Sequence, residues 1–124
     1  MARALILLLA ALSLGLAACG GDDDGGGGGG GASGEPCADD AVVIVMRDIK
    51  FDPENATARV GQEICWPNED TIDHNAVAES GADFESELYG NGQTFTTTVE
   101  EPGTVEYVCT IHPAMVGTIE VTGR

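Results

Sequence analysis

The chain has 124 residues, of which 21 are acidic and only 5 are Lys or Arg, so its formal charge is −16. This length has room for one small domain once leader and linker segments are subtracted. The shortage of basic residues argues against nucleic acid as a partner, because phosphate backbones are bound mainly by Lys and Arg. We find no nicotinamide, flavin or phosphate-binding fingerprint in the sequence.

Residues 1–18 have the pattern of a secretory leader: Arg3 precedes an apolar run that is too short for a comfortable membrane span. The run ends in Leu16-Ala17-Ala18-Cys19, which resembles the bacterial lipobox, in which the cysteine becomes the lipidated first residue. We therefore predict a lipoprotein-type signal peptide over 1–18 and a lipid on Cys19. The protein would then be anchored on the extracytoplasmic side of a membrane, in the periplasm or on the outer face of the cell envelope. The alternatives are an ordinary secretory leader cut near Cys19, or a leader that is kept as a signal anchor.

Residues 19–36 form a low-complexity segment with an acidic triplet at 22–24 and seven consecutive glycines at 25–31. Such a composition has almost no apolar surface to offset the entropy cost of ordering, so we predict a disordered tether. A glycine run can also bind phosphate, but no Lys or Ser/Thr pattern at the start of a helix follows this one. The remaining residues, 37–124, are predicted to be the folded domain.

The folded part reads as a series of short strands. Apolar or alternating runs separated by turn signals predict strands over 42–46, 56–60, 63–66, 74–78, 93–99, 104–109 and 116–122. We expect an irregular connection from Ile49 and, within 80–91, a helical turn around 84–88. Seven or eight short strands at this spacing predict an all-β Greek-key sandwich.

The last two predicted strands flank a stretch that is rich in metal-binding groups. Cys109 ends one strand, and His112 and Met115 follow on a tight loop. Thiolate, imidazole and thioether form a soft donor set that suits copper better than magnesium, calcium or manganese. A trigonal His2Cys site with a weak axial Met needs a second imidazole, and the other histidine of the chain is His74. We therefore predict one copper ion bound by His74, Cys109, His112 and Met115.

These residues also resemble a known family. The chain is similar to the cupredoxins of the plastocyanin, pseudoazurin and amicyanin group over about 42–122, in the motifs Trp66-Pro67-Asn68-Glu69-Asp70, His74-Asn75, Tyr107-x-Cys109-x-x-His112-x-x-Met115 and Val116-Gly117. Two residues between His112 and Met115 resemble the short amicyanin loop, whereas plastocyanin-like proteins usually have four. The subfamily therefore stays open at this point.

The resemblance implies roles for residues around the ligands. Asn75 and Thr110 should link the two ligand-bearing segments and donate hydrogen bonds near the cysteine sulfur. His112 should be the ligand whose edge reaches solvent, and Pro113 and Ala114 beside it should form a small apolar docking face. The alternatives are that Asn75 and Thr110 are ordinary turn residues and that the apolar residues pack inward.

Two further cysteines remain once Cys19 is assigned to lipid and Cys109 to copper. Cys37 precedes the first strand, and in cupredoxins the strand that would hold Cys65 is its neighbour. In an oxidising compartment we predict a disulfide between them. The alternative is that one or both are buried free thiols, because the usual family pattern does not require this pair.

The resemblance implies a blue copper electron carrier that exchanges single electrons with a redox protein. We expect a monomer whose acidic surface favours a basic partner such as a c-type cytochrome. A copper-delivery protein with the same ligands is the alternative. We do not expect an enzyme, because copper oxidases and nitrite reductases need additional histidines and both of those present are already assigned.

Overall fold

A computed structural model describes residues 31–123, and in that range it shows nine β-strands and no helix. The strands are β1 (Val42–Val43), β2 (Val45–Arg47), β3 (Lys50–Asp52), β4 (Asn55–Arg59), β5 (Glu63–Pro67), β6 (Val77–Ser80), β7 (Thr94–Thr98), β8 (Gly103–Cys109) and β9 (His112–Thr122). The predicted all-β class is confirmed, although the strand count exceeds the seven or eight expected. The excess arises because the predicted strand 42–46 is divided in two and β3 lies in the expected irregular connection.

Two sheets face each other across the core. One has the order β1-β5-β7 and the other has the order β4-β9-β8-β6. β1 runs parallel to β5, and β4 runs parallel to β9, so strands distant in sequence become neighbours. The β2–β3 hairpin is joined to the end of the first sheet by a bridge between Met46 and Asn68. The chain changes partner at Ile44, whose backbone N–H donates to the carbonyl of Cys65 at 2.8 Å.

A cluster of aromatic rings fills the space between the sheets. Trp66 of β5 is fully buried, and its ring centroid lies 5.2 Å from that of Phe84 and 5.5 Å from those of Phe95 and Tyr107. Because Tyr107 belongs to β8, these contacts hold the two sheets together. Large aromatic side chains contribute much of the apolar area that such a small domain can bury.

The alternation of β8 places the metal-binding end of the domain. Val105, Tyr107 and Cys109 are buried, whereas Thr104 and Glu106 are exposed. Successive side chains of a strand point to opposite faces, so the same pattern that builds the core also turns Cys109 inward at the end of β8.

The segment between β6 and β7 differs from the sequence-based expectation. The helical turn predicted around 84–88 is wrong, because Glu85 forms a bridge with Val77 and Tyr89 forms one with His74. Phe84 and Ser86 are buried while the residues beside them are exposed, which is the alternation of extended chain. His74 itself precedes β6 and is held by this isolated bridge rather than by a regular strand.

The leader 1–18, Cys19 and the first part of the predicted linker lie outside the described residues. The end of the linker, 31–36, is described, and there Ser33 pairs with Thr94 through two backbone hydrogen bonds of 2.9 and 2.7 Å. Contacts with the domain therefore begin at least four residues before Cys37. None of the described residues belongs to a helix that is long and apolar enough to cross a membrane.

A disulfide joins Cys37 to Cys65, while Cys109 is a free, buried thiol. Cys37 precedes β1 and Cys65 lies in the middle of β5, with a sequence separation of 28 residues. The bond therefore fixes the start of the domain to a central strand.

Replacing both disulfide cysteines, as Cys37→Ala with Cys65→Ala, should lower the free energy of unfolding. A closed loop of this length contributes about 3–4 kcal/mol on the chain-entropy model. Urea unfolding of the metal-free protein, followed by the fluorescence of Trp66, measures the difference, and wild type unfolded in the presence of a reductant is the control. Equal unfolding free energies for all three samples would contradict the prediction.

Candidate metal centre

The β8–β9 hairpin brings Cys109 and His112 opposite each other. Thr110 and Ile111 form a two-residue turn, and Cys109 is the register partner of His112. The next pair is Val108 with Val116, so residues 113–115 are additional residues on β9. His112 was predicted at the tip of a loop but is the first residue of β9, because the turn is completed before it. Met115 lies in this bulge and is buried, whereas Pro113 and Ala114 are exposed.

Three donor atoms converge at this end of the sandwich. The Nδ1 atom of His74 lies 3.2 Å from Nδ1 of His112 and 3.8 Å from Sγ of Cys109, and Sγ lies 3.5 Å from Nδ1 of His112. His74 and Cys109 are fully buried, and His112 is half-buried. The structure thus brings together three of the four predicted ligands in one triangle, with Met115 buried in the adjacent bulge.

The size of this triangle suits a metal ion. Nitrogen and sulfur ligands bind first-row divalent ions at about 2.0–2.3 Å, so the corners of a trigonal plane lie roughly 3.5–3.8 Å apart. The observed separations of 3.2 to 3.8 Å are close to that range. The donor set of two imidazoles and one thiolate is the trigonal set of blue-copper sites, and it therefore fits copper.

Asp70 holds the far side of the His74 ring, which the sequence analysis did not predict. Its Oδ2 atom lies 2.7 Å from Nε2 of His74 and also accepts the backbone N–H of Ile49 at 2.9 Å, while Oδ1 accepts that of Asp48 at 2.7 Å. Desolvation opposes ionisation of Asp70, but the hydrogen bonds from Ile49, His74 and Asp48 outweigh it and lower the pKa of this carboxyl. The carboxylate is therefore the stable form beside the imidazole.

Asn68 fixes the loop that carries Asp70 and His74. This buried amide donates to the carbonyls of Ile72 and Tyr89 at 3.0 and 2.9 Å, and it accepts the backbone N–H of Asp70 at 2.8 Å. Since Tyr89 also pairs with His74 through backbone hydrogen bonds of 3.1 and 2.9 Å, the loop is closed on both sides. In the sequence, Asp70 was visible only as the last residue of the motif that begins at Trp66 and through its i, i+4 spacing from His74.

Asn75 and Thr110 join the two ligand-bearing segments. The Asn75 side chain donates to Oγ1 of Thr110 at 2.9 Å and accepts the backbone N–H of Thr110 at 2.8 Å. Asn75 follows His74 directly, and Thr110 follows Cys109. These two hydrogen bonds therefore span the site from one ligand segment to the other.

Comparison with known proteins identifies the class to which this fold and site belong. Residues 38–122 match the family described as copper binding proteins, plastocyanin/azurin family. The chain is 32% identical over 88 residues to amicyanin from Paracoccus denitrificans, which covers 68% of this chain and 67% of the relative. It is 31% identical over 77 residues to amicyanin-alpha from Methylorubrum extorquens, covering 59% and 65%, and 36% identical over 83 residues to halocyanin from Natronomonas pharaonis, covering 60% and 51%. The chain thus spans about two thirds of the length of these amicyanins and about half that of halocyanin.

Solved structures agree with the sequence matches. A reduced tryptophan-to-tyrosine mutant of amicyanin superposes with a TM-score of 0.68 at 26% identity, covering 74% of this chain and 92% of that one. The Cu(I) form of a methionine-to-alanine mutant of amicyanin gives 0.64 at 29% identity, covering 68% and 85%. The chain therefore belongs to the plastocyanin/azurin family of copper-binding proteins, and copper is its metal. Within that family it is similar to the amicyanins, which narrows the subfamily that the sequence analysis left open.

Asn75→Ala should destabilise the metal-free protein more than Thr110→Ala does. The first variant removes both hydrogen bonds and leaves the Thr110 N–H without its acceptor, at a cost of about 1–3 kcal/mol. The second variant keeps the bond from that N–H to Asn75 and should cost about 0.5–1.5 kcal/mol. Urea unfolding of the two variants and of wild type measures the costs. Equal losses would contradict the prediction, because they would show that the bond from the Thr110 N–H to Asn75 adds nothing to stability.

Proposed function

We propose that this protein is an electron carrier with a type 1 copper site formed by His74, Cys109, His112 and Met115. The observation that carries the proposal is the triangle of two Nδ1 atoms and one Sγ atom with separations of 3.2 to 3.8 Å. Copper, when bound, supplies a Cu(I)/Cu(II) couple that stores one electron. An electron carrier, rather than an enzyme, is supported because the site uses both histidines of the chain and retains no further imidazole for substrate chemistry.

The residues around the metal would limit rearrangement between the two oxidation states. Cys109 would bind as a thiolate, since metal binding displaces the thiol proton, and Met115 would be a weak axial ligand that tunes the potential. The β8–β9 hairpin holds Cys109 against His112, and the Asn75–Thr110 hydrogen bonds hold His74 beside them. A site held in one geometry requires little reorganisation when an electron arrives or leaves. Copper delivery, which requires ligands to open, is less well supported by a fully buried His74.

The partner would dock where His112 approaches the surface. Four exposed large hydrophobic side chains are linked to the two histidines. Ile111 directly precedes His112, and Ile72 lies two residues before His74. Leu88 precedes Tyr89, which pairs with His74, and the N–H of Ile49 donates to Asp70. We define the apolar face as these four together with the two predicted docking residues: Ile49, Ile72, Leu88, Ile111, Pro113 and Ala114. Exposed apolar side chains concentrated in one region are typical of a protein–protein interaction site. We propose that a redox protein with a basic rim contacts this face, because the domain itself is strongly acidic.

We also propose that the domain is tethered to a membrane on its extracytoplasmic side. The support is the sequence alone: a leader over 1–18, the lipobox-like cysteine Cys19 and a glycine-rich segment before the domain. A glycine-rich coil of this length has a root-mean-square span of roughly 20–25 Å. The domain would therefore stay near the membrane while its apolar face turns to meet a partner.

Cys109→Ser should abolish the intense visible colour that Cu(II) gives with the wild-type protein. A hydroxyl is a harder and less covalent donor than a thiolate, so the charge-transfer band is lost. The measurement is the visible spectrum during Cu(II) titration of the purified domain. The control is the variant in which Cys37 and Cys65 are both alanine, which should stay blue. Colour that persists in Cys109→Ser would exclude this thiol as a ligand and with it the proposed site.

Cys19→Ala should release the protein from the membrane without changing its fold. The lipid would be lost, while the folded domain begins only after the glycine-rich segment. Fractionation of cells into membrane and soluble pools measures the release, and the spectrum with Cu(II) reports whether the released domain still binds copper. Retention of the variant in the membrane fraction would show instead that the leader persists as an anchor.

The rate of electron transfer to a basic cytochrome should fall as salt is added. From Cys37 onward, seventeen acidic and four basic residues give a formal charge of −13, and the Debye length falls from about 10 Å at 0.1 M to about 3 Å at 1 M salt. Stopped-flow mixing with a basic and an acidic cytochrome across a salt series measures the effect. Equal rates and a flat salt dependence with both partners would reject electrostatic steering.

Pro113→Glu should slow transfer even at high salt, because the apolar face rather than long-range charge governs the final contact. Burying one uncompensated carboxylate costs at least about 1.4 kcal/mol, which corresponds to a tenfold lower rate. Thr122→Glu is the matched control, since it adds the same charge at the other end of β9, roughly 20 Å away when the distance is measured along the paired strand β8. If both variants behave alike at 1 M salt, the apolar face is not the docking site.

A further inference from the structure

The carboxylate of Asp70 is shared between a buried metal ligand and a surface turn. Its Oδ2 atom contacts Nε2 of His74 at 2.7 Å and the N–H of Ile49 at 2.9 Å, and its Oδ1 atom accepts the N–H of Asp48 at 2.7 Å. The Asp70 side chain is 16% exposed and that of His74 is fully buried. A single oxygen atom thus connects a ligand that solvent does not reach to the backbone of an exposed turn.

The turn between β2 and β3 has a conformation that its residues do not favour. Asp48 and Ile49 both have positive φ, 55° and 57°, as a type I′ turn requires at its two central positions. Asn-Gly is the preferred sequence there, and a β-branched residue such as Ile is a genuine outlier at positive φ. In this conformation the two successive N–H groups point at the same carboxylate, which is the arrangement of an anion-binding nest. The hydrogen bonds to Asp70 therefore offset part of the cost of this strained turn, in which the Ile49 side chain is exposed.

We infer that Asp70 is the positioning residue of the metal centre. It fixes the His74 ring with the proton on Nε2, so that Nδ1 is free to bind metal, and it joins this ligand to the Asp48–Ile49 turn of the apolar face. The inference rests on the proposed function only in taking copper as the metal. The position of the proton follows from the chemistry: a carboxylate can only accept, and so the imidazole nitrogen beside it must donate.

A carboxylate suits this position better than an amide. Three donors converge on the two oxygens, whereas Asn has one acceptor oxygen and one NH2 group. If Asn kept its oxygen toward His74 and Ile49, its NH2 group would face the N–H of Asp48. The negative charge also makes the imidazole a stronger donor to the metal, which favours Cu(II) over Cu(I). Loss of that charge should therefore raise the reduction potential.

The experiment compares Asp70→Ala with Glu69→Ala, which removes the same charge one residue earlier from an exposed side chain paired with Arg47. The metal-free proteins are compared first, by the ¹⁵N shifts of the His74 ring and the hydrogen exchange of the Asp48 and Ile49 amides. Asp70→Ala should give a mixture of His74 tautomers and unprotected amides, and Glu69→Ala should match wild type. Asp70→Asn should keep the tautomer, lose protection at Asp48 and raise the potential.

Copper supplies the second readout. Cu(II) affinity measured by competition with a chelator should fall about 10–100-fold in Asp70→Ala and stay unchanged in Glu69→Ala. Equal tautomer ratios and equal affinities in these two variants would overturn the inference. If wild type fails to turn blue, the proposed function fails, while the metal-free measurements still decide the role of Asp70.

A fourth variant tests whether Asp70 acts on His74 directly or only through the turn, and it keeps the turn folded in the absence of Asp70. Asp48→Asn with Ile49→Gly supplies the preferred type I′ sequence, and combined with Asp70→Ala it restores the turn without the contact to His74. If Asp70 positions the His74 ring directly, the amides at positions 48 and 49 regain protection in this variant, while the His74 tautomers stay mixed and the Cu(II) affinity stays low. Recovery of the affinity would show that Asp70 acts only by folding the turn, which would overturn its assignment as a positioning residue.

Discussion

The convergence of two imidazole nitrogens and one thiol sulfur within 3.8 Å is the constraint on which the rest of this end of the domain depends. Polar groups this close together, two of them on fully buried residues, require a framework that supplies their positions. Three separate elements do so: the β8–β9 hairpin for Cys109 and His112, the bridge to Tyr89 for the backbone of His74, and Asp70 for its ring. Each of these elements is held by hydrogen bonds within the protein, and a site whose groups are fixed in this way has the general advantage of preorganisation.

The sequence predicted the parts of this site that depend on local interactions, and it missed the parts that depend on contacts between distant segments. The sequence placed Cys109 at the end of an alternating strand and His112 three residues later, so their proximity was predictable. His74 was chosen by the number of histidines in the chain rather than by any local pattern, and its place opposite Tyr89 depends on a bridge between residues 15 apart. Asp70 was missed because it is one of several acidic residues in its loop, and an i, i+4 spacing means little outside a helix. What makes it distinctive is the turn at 48–49, which approaches it from more than twenty residues away.

The strand boundaries that the sequence placed wrongly share one cause. β1 and β2 were predicted as one strand because they form a single apolar run. β1 pairs with β5 whereas β2 pairs with β3, and nothing in Val42–Val43 or Val45–Arg47 indicates this change of partner. The bulge at 113–115 is equally invisible, because it is a mismatch of register between β8 and β9 rather than a property of either strand. The alternation within a strand predicts which face of the sheet a side chain occupies, but tertiary contacts decide which strand it pairs with. The fold class was predictable on that basis, whereas the positions of His112 and Met115 within it were not.

The two histidines of the site are held differently, and under the proposed electron-carrier function this asymmetry would give them different roles. His74 is fully buried, its Nε2 faces the carboxylate of Asp70 and its backbone pairs with Tyr89. His112 is half-buried at the start of β9, next to the exposed Pro113 and Ala114, where a partner can approach its ring directly. In the proposed carrier, one imidazole would fix the geometry and the other would shorten the path to the surface. A site in which both rings were exposed would lose the fixed geometry, and one in which both were buried would lengthen the path for the electron.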